Sequence, residues 1–450
     1  MGFDINKIMG KIIPTFLRHH LIWLLTASAL ALAALRIWLT VGLSHVFFID
    51  EASRAGVVKA LLTDAIPENV DRFGFLFIET DADCSAFTFL MPATLWSFFF
   101  GYSMPSLRIF VCLVTILAII LLGRAISYWF GQSPKVWLFA LIIGLMMPWN
   151  FLQGMLFWDS TLAPLYLIIS FWSFSFLVNV ETEDKRKTTI LAHILLPLGL
   201  VFAATSYRST AFVAVACWLI FYSVLFFKKI LSAKTLSFHI LYSCVLALPF
   251  TTAILLWPTM TNRASHIAVT TIEGFVPRVR AVLSNYRGLL SFDFLFWRGD
   301  HNLRHAIGVS GMVGLSAVIP LISVPVYAAR KMLSKKEGFL ALFSLTGIIM
   351  SFAGAALTIE GNPHSLRSGS AWLFFVILLS VGITKLYQER HNPGAAFVLG
   401  MAAIVAVLCF TYYVYYFHGT YLPEQAHAWF SYDPISDGER FPFVGVYDAQ

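Results

Sequence analysis

Two adjacent carboxylates, Asp50 and Glu51, follow the first long apolar run of the sequence, in the stretch FFIDEA. Carboxylates beside a membrane span are costly to desolvate, and perturbed charges of this kind concentrate at functional sites. The pair therefore indicates chemistry at the membrane surface. Helix capping is the structural alternative, since Asp50 could simply cap a helix that runs through Arg54 to Leu62.

A cluster of arginines and histidines lies between Trp297 and His305 and contains Arg298, His301 and Arg304. Guanidinium groups bind phosphate oxygens in a planar, bidentate geometry, so this concentration of basic residues predicts a phosphate-binding site. We expect a helix to begin at Arg304. His301 and His305 would then share a face, a spacing that is also compatible with a metal pair.

A second cluster runs from Pro363 to Arg367, with His364 and Arg367 three residues apart before a late apolar run. It predicts a further contribution to anion binding. A buried salt bridge to Glu360 is the structural alternative here. Arg208 lies in another loop, and each such arginine could instead contact lipid headgroups or loop acids.

The elements that must position these residues are membrane-spanning helices. With 58% hydrophobic and 12% charged residues over 450 positions, the chain has more apolar surface than one soluble core buries. Its apolar runs reach the roughly 20 residues of a span, which predicts an all-α polytopic membrane protein. We expect about eleven transmembrane helices, at 20–43, 105–129, 136–152, 159–179, 190–205, 209–226, 237–257, 307–329, 338–358, 368–387 and 395–416.

The distribution of lysine predicts which segments span. The apolar stretch from Ser85 to Phe100 could be a further span, but if it lies flat in the interface only Lys59 falls opposite the other lysines. Lysine-rich loops are usually cytoplasmic, so we expect an interfacial helix there, a cytoplasmic N-terminus and an external tail from about Phe417. The lysines assigned to the cytoplasmic side are Lys7, Lys11, Lys135, Lys185, Lys187, Lys228, Lys229, Lys234, Lys331, Lys335, Lys336 and Lys385.

We expect one transmembrane domain over residues 1–416, followed by a short external tail at 417–450. Its first external loop, 44–104, carries the acidic pair, and a second long external loop is 258–306. The first apolar run is predicted to stay as a span because no convincing cleavage site follows it. The net charge of +7 reflects the cytoplasmic lysines, so no nucleic-acid partner is expected.

With this topology the unusual polar residues, including Asp159 and Arg208, all lie on the external side together with the acidic pair. The span interiors carry almost no charge, with Arg36 as the clear exception. A proton-coupled carrier usually places ionisable groups near the membrane midplane. The pattern therefore favours chemistry at the external surface.

The order of these features resembles the GT-C superfamily of membrane glycosyltransferases, in particular its protein O-mannosyltransferase and aminoarabinose-transferase-like branch. The similarity covers most of the chain and depends on the order of the motifs, because each motif alone is weak. The matching features are the acidic pair, an amphipathic loop helix, the GYSMPSLR segment that opens the second span, Asp159 in FWDS, the Ser206-Tyr207-Arg208 turn, Arg304-His305 with the glycines that follow, and the loop from Pro363 to Arg367.

The resemblance implies transfer of a sugar from a polyprenyl-phosphate donor to an acceptor on the external face, with inversion at the anomeric carbon. It assigns the catalytic base to Asp50, a supporting role to Glu51 and a place in the site to Asp159. A carboxylate that accepts the proton of a hydroxyl nucleophile contributes roughly 10²–10⁴ in rate. The residues expected to bind the donor phosphate are Arg208, Arg298, His301, Arg304, His305, His364 and Arg367.

Metal use stays open, because some members of the superfamily place a divalent metal cation between acidic residues and phosphate. Asp50 and Asp159 would be its ligands here, and no other cofactor is expected. The expected partners are the polyprenyl-phosphate sugar donor, membrane lipids and an acceptor that is a lipid, a glycan or a protein. The expected location is the inner (plasma) membrane of a bacterium.

Three other interpretations stay open at the level of sequence. A lipid-linked glycan flippase or other transporter would explain the phosphate-binding site equally well. An O-antigen-ligase-like transferase would use an undecaprenyl-diphosphate donor, and an inactive structural relative is the third alternative. The sequence leaves open the transferred sugar, hexosyl or pentosyl, the acceptor and the oligomeric state.

Overall fold

A computed structural model describes residues 5–43, 49–63, 72–74, 76–80, 83–179, 186–257, 267–359 and 363–425 of the protein. Helices make up most of these ranges, and three short strands lie in the first loop, β1 (Arg72–Phe73), β2 (Phe77–Thr80) and β3 (Asp83–Ala86). The helices are α1 (Ile5–Gly42), α2 (Ile49–Thr63), α3 (Phe87–Phe100), α4 (Met104–Trp129), α5 (Pro134–Met146), α6 (Pro148–Gln153), α7 (Leu162–Asn179), α8 (Arg186–Ser206), α9 (Thr210–Phe227), α10 (Ala233–Leu256), α11 (Phe275–Leu289), α12 (Val318–Ala329), α13 (Lys335–Ala356), α14 (Ala371–Gln388) and α15 (Pro393–Tyr416).

Within the described ranges, nine helical segments are long and apolar enough to cross a membrane. The protein is therefore an integral multi-pass membrane protein, as predicted. Two of the eleven predicted spans correspond to shorter apolar helices, Pro134–Met146 and Leu315–Ala329, so the count of eleven is not confirmed. The first of these ends before Pro148 because a residue that precedes proline is driven out of the helical region; Met147 is extended.

The first loop carries a small antiparallel sheet whose strands follow one another in chain order. Phe77 pairs with Ala86 across β2 and β3, and its ring lies 5.8 Å from that of Phe250 and 6.5 Å from that of Trp257 at the end of α10. These contacts attach the sheet to the helix bundle. The helix α3 that follows has 14 residues, fewer than the roughly 20 that a span requires, and coincides with the predicted interfacial segment.

The predicted helix at Arg304 is not observed. Turns follow Arg298, and regular structure resumes only at Leu315. The Met312 N–H donates to the Phe294 carbonyl at 2.9 Å, so the segment folds back on itself. A Cβ at Gly311 would lie 2.2 Å from the Phe296 nitrogen, and this close backbone approach explains the glycine.

Aromatic side chains pack between α7, α9 and α13 in the core. The rings of Phe174 and Phe221 stack at 4.3 Å, and those of Phe171 and Phe343 stack at 5.2 Å. Such pairs add about 0.5–1.5 kcal/mol each beyond the burial of their area. The packing fixes the helix ends from which the loops of the candidate site emerge.

Candidate active site

A cavity of about 790 Å³ lies where the ends of α8, α9, α10 and α13 meet the irregular loops. Carboxylates, guanidinium groups and imidazoles line it together with apolar side chains. The acidic, arginine and histidine residues in its lining are Asp50, Arg54, Asp159, Arg208, Asp300, His301, Arg304, His305, His364 and Arg367.

The carboxylates of Asp50 and Asp159 both face the guanidinium group of Arg54, one turn after Asp50 on α2. Arg54 Nη1 donates to the Asp50 carbonyl at 2.9 Å and lies 3.9 Å from Asp50 Oδ1. Arg54 Nη2 lies 3.3 Å from Asp159 Oδ2. The Asp50 side chain is 35% exposed and that of Asp159 is 11% exposed, so Asp50 is the more accessible carboxylate.

Glu51 is fully buried and forms a bidentate ion pair with Arg108 of α4. Its Oε1 accepts from Arg108 Nε at 2.9 Å and from the Phe157 N–H at 2.7 Å, and its Oε2 accepts from Arg108 Nη2 at 2.5 Å. Arg108 Nη1 also donates to the carbonyl of Leu43. The carboxylate of Glu51 thus ties α2 to α4 and to the segment that leads into Asp159.

Asp300 joins the two arginine and histidine clusters. Its Oδ1 accepts from the Asn302 N–H at 2.9 Å, and its Oδ2 accepts from the Ser365 N–H at 2.8 Å and lies 3.3 Å from His305 Nδ1. Burial by itself raises the pKa of Asp300, but His305 and the two backbone N–H groups hold that pKa below its ordinary value. Asp300 is therefore an ionised carboxylate that fixes both loops.

His364 stacks on His305, with ring centroids 4.8 Å apart and planes at 27°. Burial is the main cause that holds the pKa of His364 well below its usual range, and the nearby charges of His305 and Arg367 lower that pKa further. His364 is thus a neutral imidazole at pH 7, and it contributes hydrogen-bonding capacity to the cavity without a charge.

The two guanidinium groups next to these histidines are oriented by polar neighbours. Arg304 Nε donates to Asn302 Oδ1 at 3.2 Å, and Arg367 Nη1 donates to Thr358 Oγ1 at 3.0 Å. The cavity therefore has a basic side built by the 298–305 and 363–367 segments.

A π-helical segment, Phe417–Gln425, continues from α15 and packs against the 298–305 segment. The buried Tyr421 hydroxyl donates to the carbonyl of Leu303 at 2.5 Å. This contact fixes the loop that carries Arg304 and His305.

All the predicted site residues line this cavity except Glu51 and Arg298. Arg298 Nε donates to Asp293 Oδ1 at 2.6 Å, and the Arg298 side chain is 61% exposed. The structure thus brings the two Asp residues and most of the predicted phosphate-binding residues together, while the role of each residue stays a prediction. The alternative partner of the second cluster, Glu360, lies outside the described residues.

Sequence reasoning did not assign site roles to Arg54, Arg108 or Asp300. The spacing of Asp50 and Arg54 by four residues within one helix was an available signal. Arg108 lies fully buried inside α4, so the expectation that Arg36 is the clear exception among uncharged span interiors was wrong. A charge inside a span is usually paired with an opposite charge. The position of Arg108 in the sequence was therefore an available indication of its pairing with Glu51.

Among the described residues of the cavity, two groups offer metal ligands, and their surroundings differ. Asp50 and Asp159, the predicted ligands, already share the Arg54 guanidinium group, which occupies the position of a bridging cation. Asp300, His305 and His364 instead offer ligand atoms that all lie within 4.8 Å of one another.

Comparison with solved structures identifies proteins of similar fold. The crystal structure of ArnT from Cupriavidus metallidurans bound to undecaprenyl phosphate is similar at a TM-score of 0.52, with 11% identity over 94% of this chain and 74% of ArnT. The apo oligosaccharyltransferase of Archaeoglobus fulgidus is similar at a TM-score of 0.52, with 12% identity over 94% of this chain and 60% of that enzyme. No family model and no curated protein sequence matches the chain.

The fold and the cavity therefore define a helical membrane protein with a polar site at one end of its spans. The chain shares its fold with ArnT and with the archaeal oligosaccharyltransferase, which are both GT-C glycosyltransferases. The predicted resemblance is thus confirmed at the level of the fold.

Proposed function

We propose that this protein is a membrane glycosyltransferase that transfers a sugar from a polyprenyl-phosphate donor to an acceptor on the external face, with inversion. The observation that carries the proposal is the single cavity that Asp50 shares with Arg304 and Arg367. A base and a set of anion-binding groups within one cavity are what an acceptor hydroxyl and a departing phosphate require.

The lining of the cavity also suits the lipid part of such a donor. The side chains of Phe212, Ile254 and Leu357 belong to this lining, and they are 39%, 47% and 36% exposed. They lie on or beside helices that are long enough to span the membrane. The solved ArnT complex contains undecaprenyl phosphate, and an archaeal AglB structure at a TM-score of 0.50 contains dolichol phosphate.

In the proposed reaction, Asp50 accepts the proton of the acceptor hydroxyl as its oxygen attacks the anomeric carbon. The bond from that carbon to the phosphate oxygen breaks, and the polyprenyl phosphate leaves with the electron pair. Arg208, Arg304 and Arg367 stabilise the charge that develops on the phosphate. Asp159 positions Arg54 and, through it, Asp50.

The test is an assay of purified protein in detergent with synthetic polyprenyl-phosphate sugars and a panel of lipid, glycan and peptide acceptors. Mass spectrometry would follow the release of polyprenyl phosphate and the appearance of the glycosylated acceptor. We expect Asp50→Asn to lower turnover by about 10²–10⁴. The matched control is Glu389→Gln, at the opposite end of α14 from the cavity, which should leave turnover unchanged.

Unchanged turnover in Asp50→Asn would exclude Asp50 as the base. If the donor crosses the membrane of proteoliposomes while its sugar–phosphate bond stays intact with every acceptor, the protein is a transporter and the proposal fails.

A further inference from the structure

Asp300, His305 and His364 form a compact group that the proposed sugar transfer does not fully use. Two of them lie in the 298–305 segment and the third in the 363–367 segment, so residues distant in sequence converge on one wall of the cavity. Asp300 and His305 are buried, with exposed fractions of 4% and 5%. One carboxylate and two imidazoles are a donor set typical of divalent transition metals.

The distances within the group fit a metal centre. Zinc lies about 2.0–2.2 Å from nitrogen and carboxylate ligands, so two ligands of a tetrahedral ion are about 3.3 Å apart. Asp300 Oδ2 and His305 Nδ1 are 3.3 Å apart. The ligand atoms of all three residues lie within 4.8 Å of one another, so a small movement of His364 would be needed for the triangle to close around an ion.

Neighbouring groups hold these ligands in place, as they do in established metal sites. The backbone N–H groups of Asn302 and Ser365 donate to the two oxygens of Asp300, at 2.9 and 2.8 Å. The rings of Trp158 and His305 form a T-shaped contact, with centroids 5.8 Å apart and planes at 84°. The carboxylate and the first imidazole are thus oriented by groups that do not themselves bind the ion.

We infer that Asp300, His305 and His364 bind one divalent transition-metal ion of the zinc type and leave a coordination position open to the cavity. The positive charges of Arg304 and Arg367 oppose a bare cation, so an anion in the open position should strengthen metal binding. On the basis of the proposed function, that anion is a phosphate oxygen of the polyprenyl-phosphate donor.

The test uses the full chain in detergent, treated with EDTA, desalted and titrated with Co²⁺, whose visible absorption reports tetrahedral nitrogen and oxygen ligands. We expect one equivalent to bind, and we expect His364→Ala to weaken binding by at least about 10-fold, the lower limit for loss of even an outer partner of a ligand. His301→Ala is the matched control, because His301 lines the same cavity outside the group; it should bind Co²⁺ as the unaltered chain does. To separate loss of a ligand from loss of the fold, His364→Gln is titrated alongside His364→Ala, and each variant is required to elute as a monodisperse species.

Absence of tetrahedral cobalt bands in the unaltered chain would overturn the metal site. The same holds if His364→Ala and His364→Gln both bind Co²⁺ with the affinity of the unaltered chain. This titration needs no sugar donor, so its outcome is independent of the proposed transfer. Addition of undecaprenyl phosphate should shift the bands and tighten binding. Bands that do not change would overturn the assignment of the open position to phosphate, even if the transferase assay succeeds.

Discussion

At the scale of single residues, burial separates two neighbours that look equivalent in the sequence. Consecutive residues of a helix point about 100° apart, since 3.6 residues make one turn. Asp50 therefore reaches the cavity while Glu51 points into the core toward Arg108. The Glu51 carboxylate pairs with Arg108 and accepts from the Phe157 N–H, two residues before Asp159, and these contacts support the role predicted for Glu51 without testing it.

We predict that Glu51→Gln strongly destabilises the fold. Breaking a buried ion pair leaves an uncompensated charge on Arg108, which typically costs about 3–5 kcal/mol. Asp293→Asn breaks the exposed pair with Arg298 and should cost less than about 1 kcal/mol. Thermal unfolding in detergent, followed by intrinsic fluorescence, compares the two variants.

The double variant Glu51→Gln with Arg108→Met removes both charges and should recover part of the lost stability. Equal midpoints for Glu51→Gln and Asp293→Asn would contradict the structural role of the buried pair.

At the scale of elements, the basic side of the cavity depends on a segment without regular structure. Backbone hydrogen bonds join residues 312–314 to residues 294–295. The Trp149 N–H donates to the Met312 carbonyl at 2.8 Å, which connects the segment to α6. Irregular backbone is tolerated beside a membrane only where its polar groups find such partners. The positions of Arg304 and His305 are therefore set by these hydrogen bonds.

We predict that Gly311→Ala destabilises this segment, because its Cβ would lie 2.2 Å from the Phe296 nitrogen. Forced overpacking typically costs about 1–3 kcal/mol. Gly400→Ala is the matched control: apart from the helix's own backbone, no neighbouring atom lies within 4 Å of a Cβ at this position, and alanine in the helix α15 should stabilise by about 0.5–1 kcal/mol. Thermal midpoints that fall for both variants, or for neither, would contradict this account of the loop.

At the scale of the whole molecule, Lys135, Lys335 and Lys385 lie at the end of the spans opposite the cavity. Lys335 begins α13, and Leu357 follows its other end at the cavity, about 33 Å away for a helix of 22 residues. At the lysine end, Lys385 pairs with Glu337 at 2.9 Å, and Lys135 donates to the Tyr387 hydroxyl at 2.7 Å. By the positive-inside rule this separation predicts an external cavity.

Cysteine labelling tests the orientation. In a background in which the native cysteines are replaced, His301→Cys at the cavity and Lys331→Cys between α12 and α13 would each add one thiol. A membrane-impermeant maleimide should label the first variant in intact spheroplasts and the second only after permeabilisation. The reverse pattern would place the cavity on the cytoplasmic side.

The sequence by itself determined the class of protein, because the length and apolarity of the runs leave membrane-spanning helices as the main way to satisfy backbone groups in lipid. It also predicted which loops share a side of the membrane, since lysine bias acts through local charge. The pairing of Asp50 with the basic clusters was a prediction of this kind, and the cavity brings these residues together.

Only the tertiary structure decided which of the polar residues face one another. Asp300 meets Ser365 across 65 positions, and Glu51 meets Arg108 across 57. Such contacts depend on how packed helices place their loops, and neither spacing nor composition encodes them. The predicted span at 307–329 was wrong over its first residues for the same reason, since helical structure begins only at Leu315. The close backbone approach at Gly311 exists only once the segment has folded back.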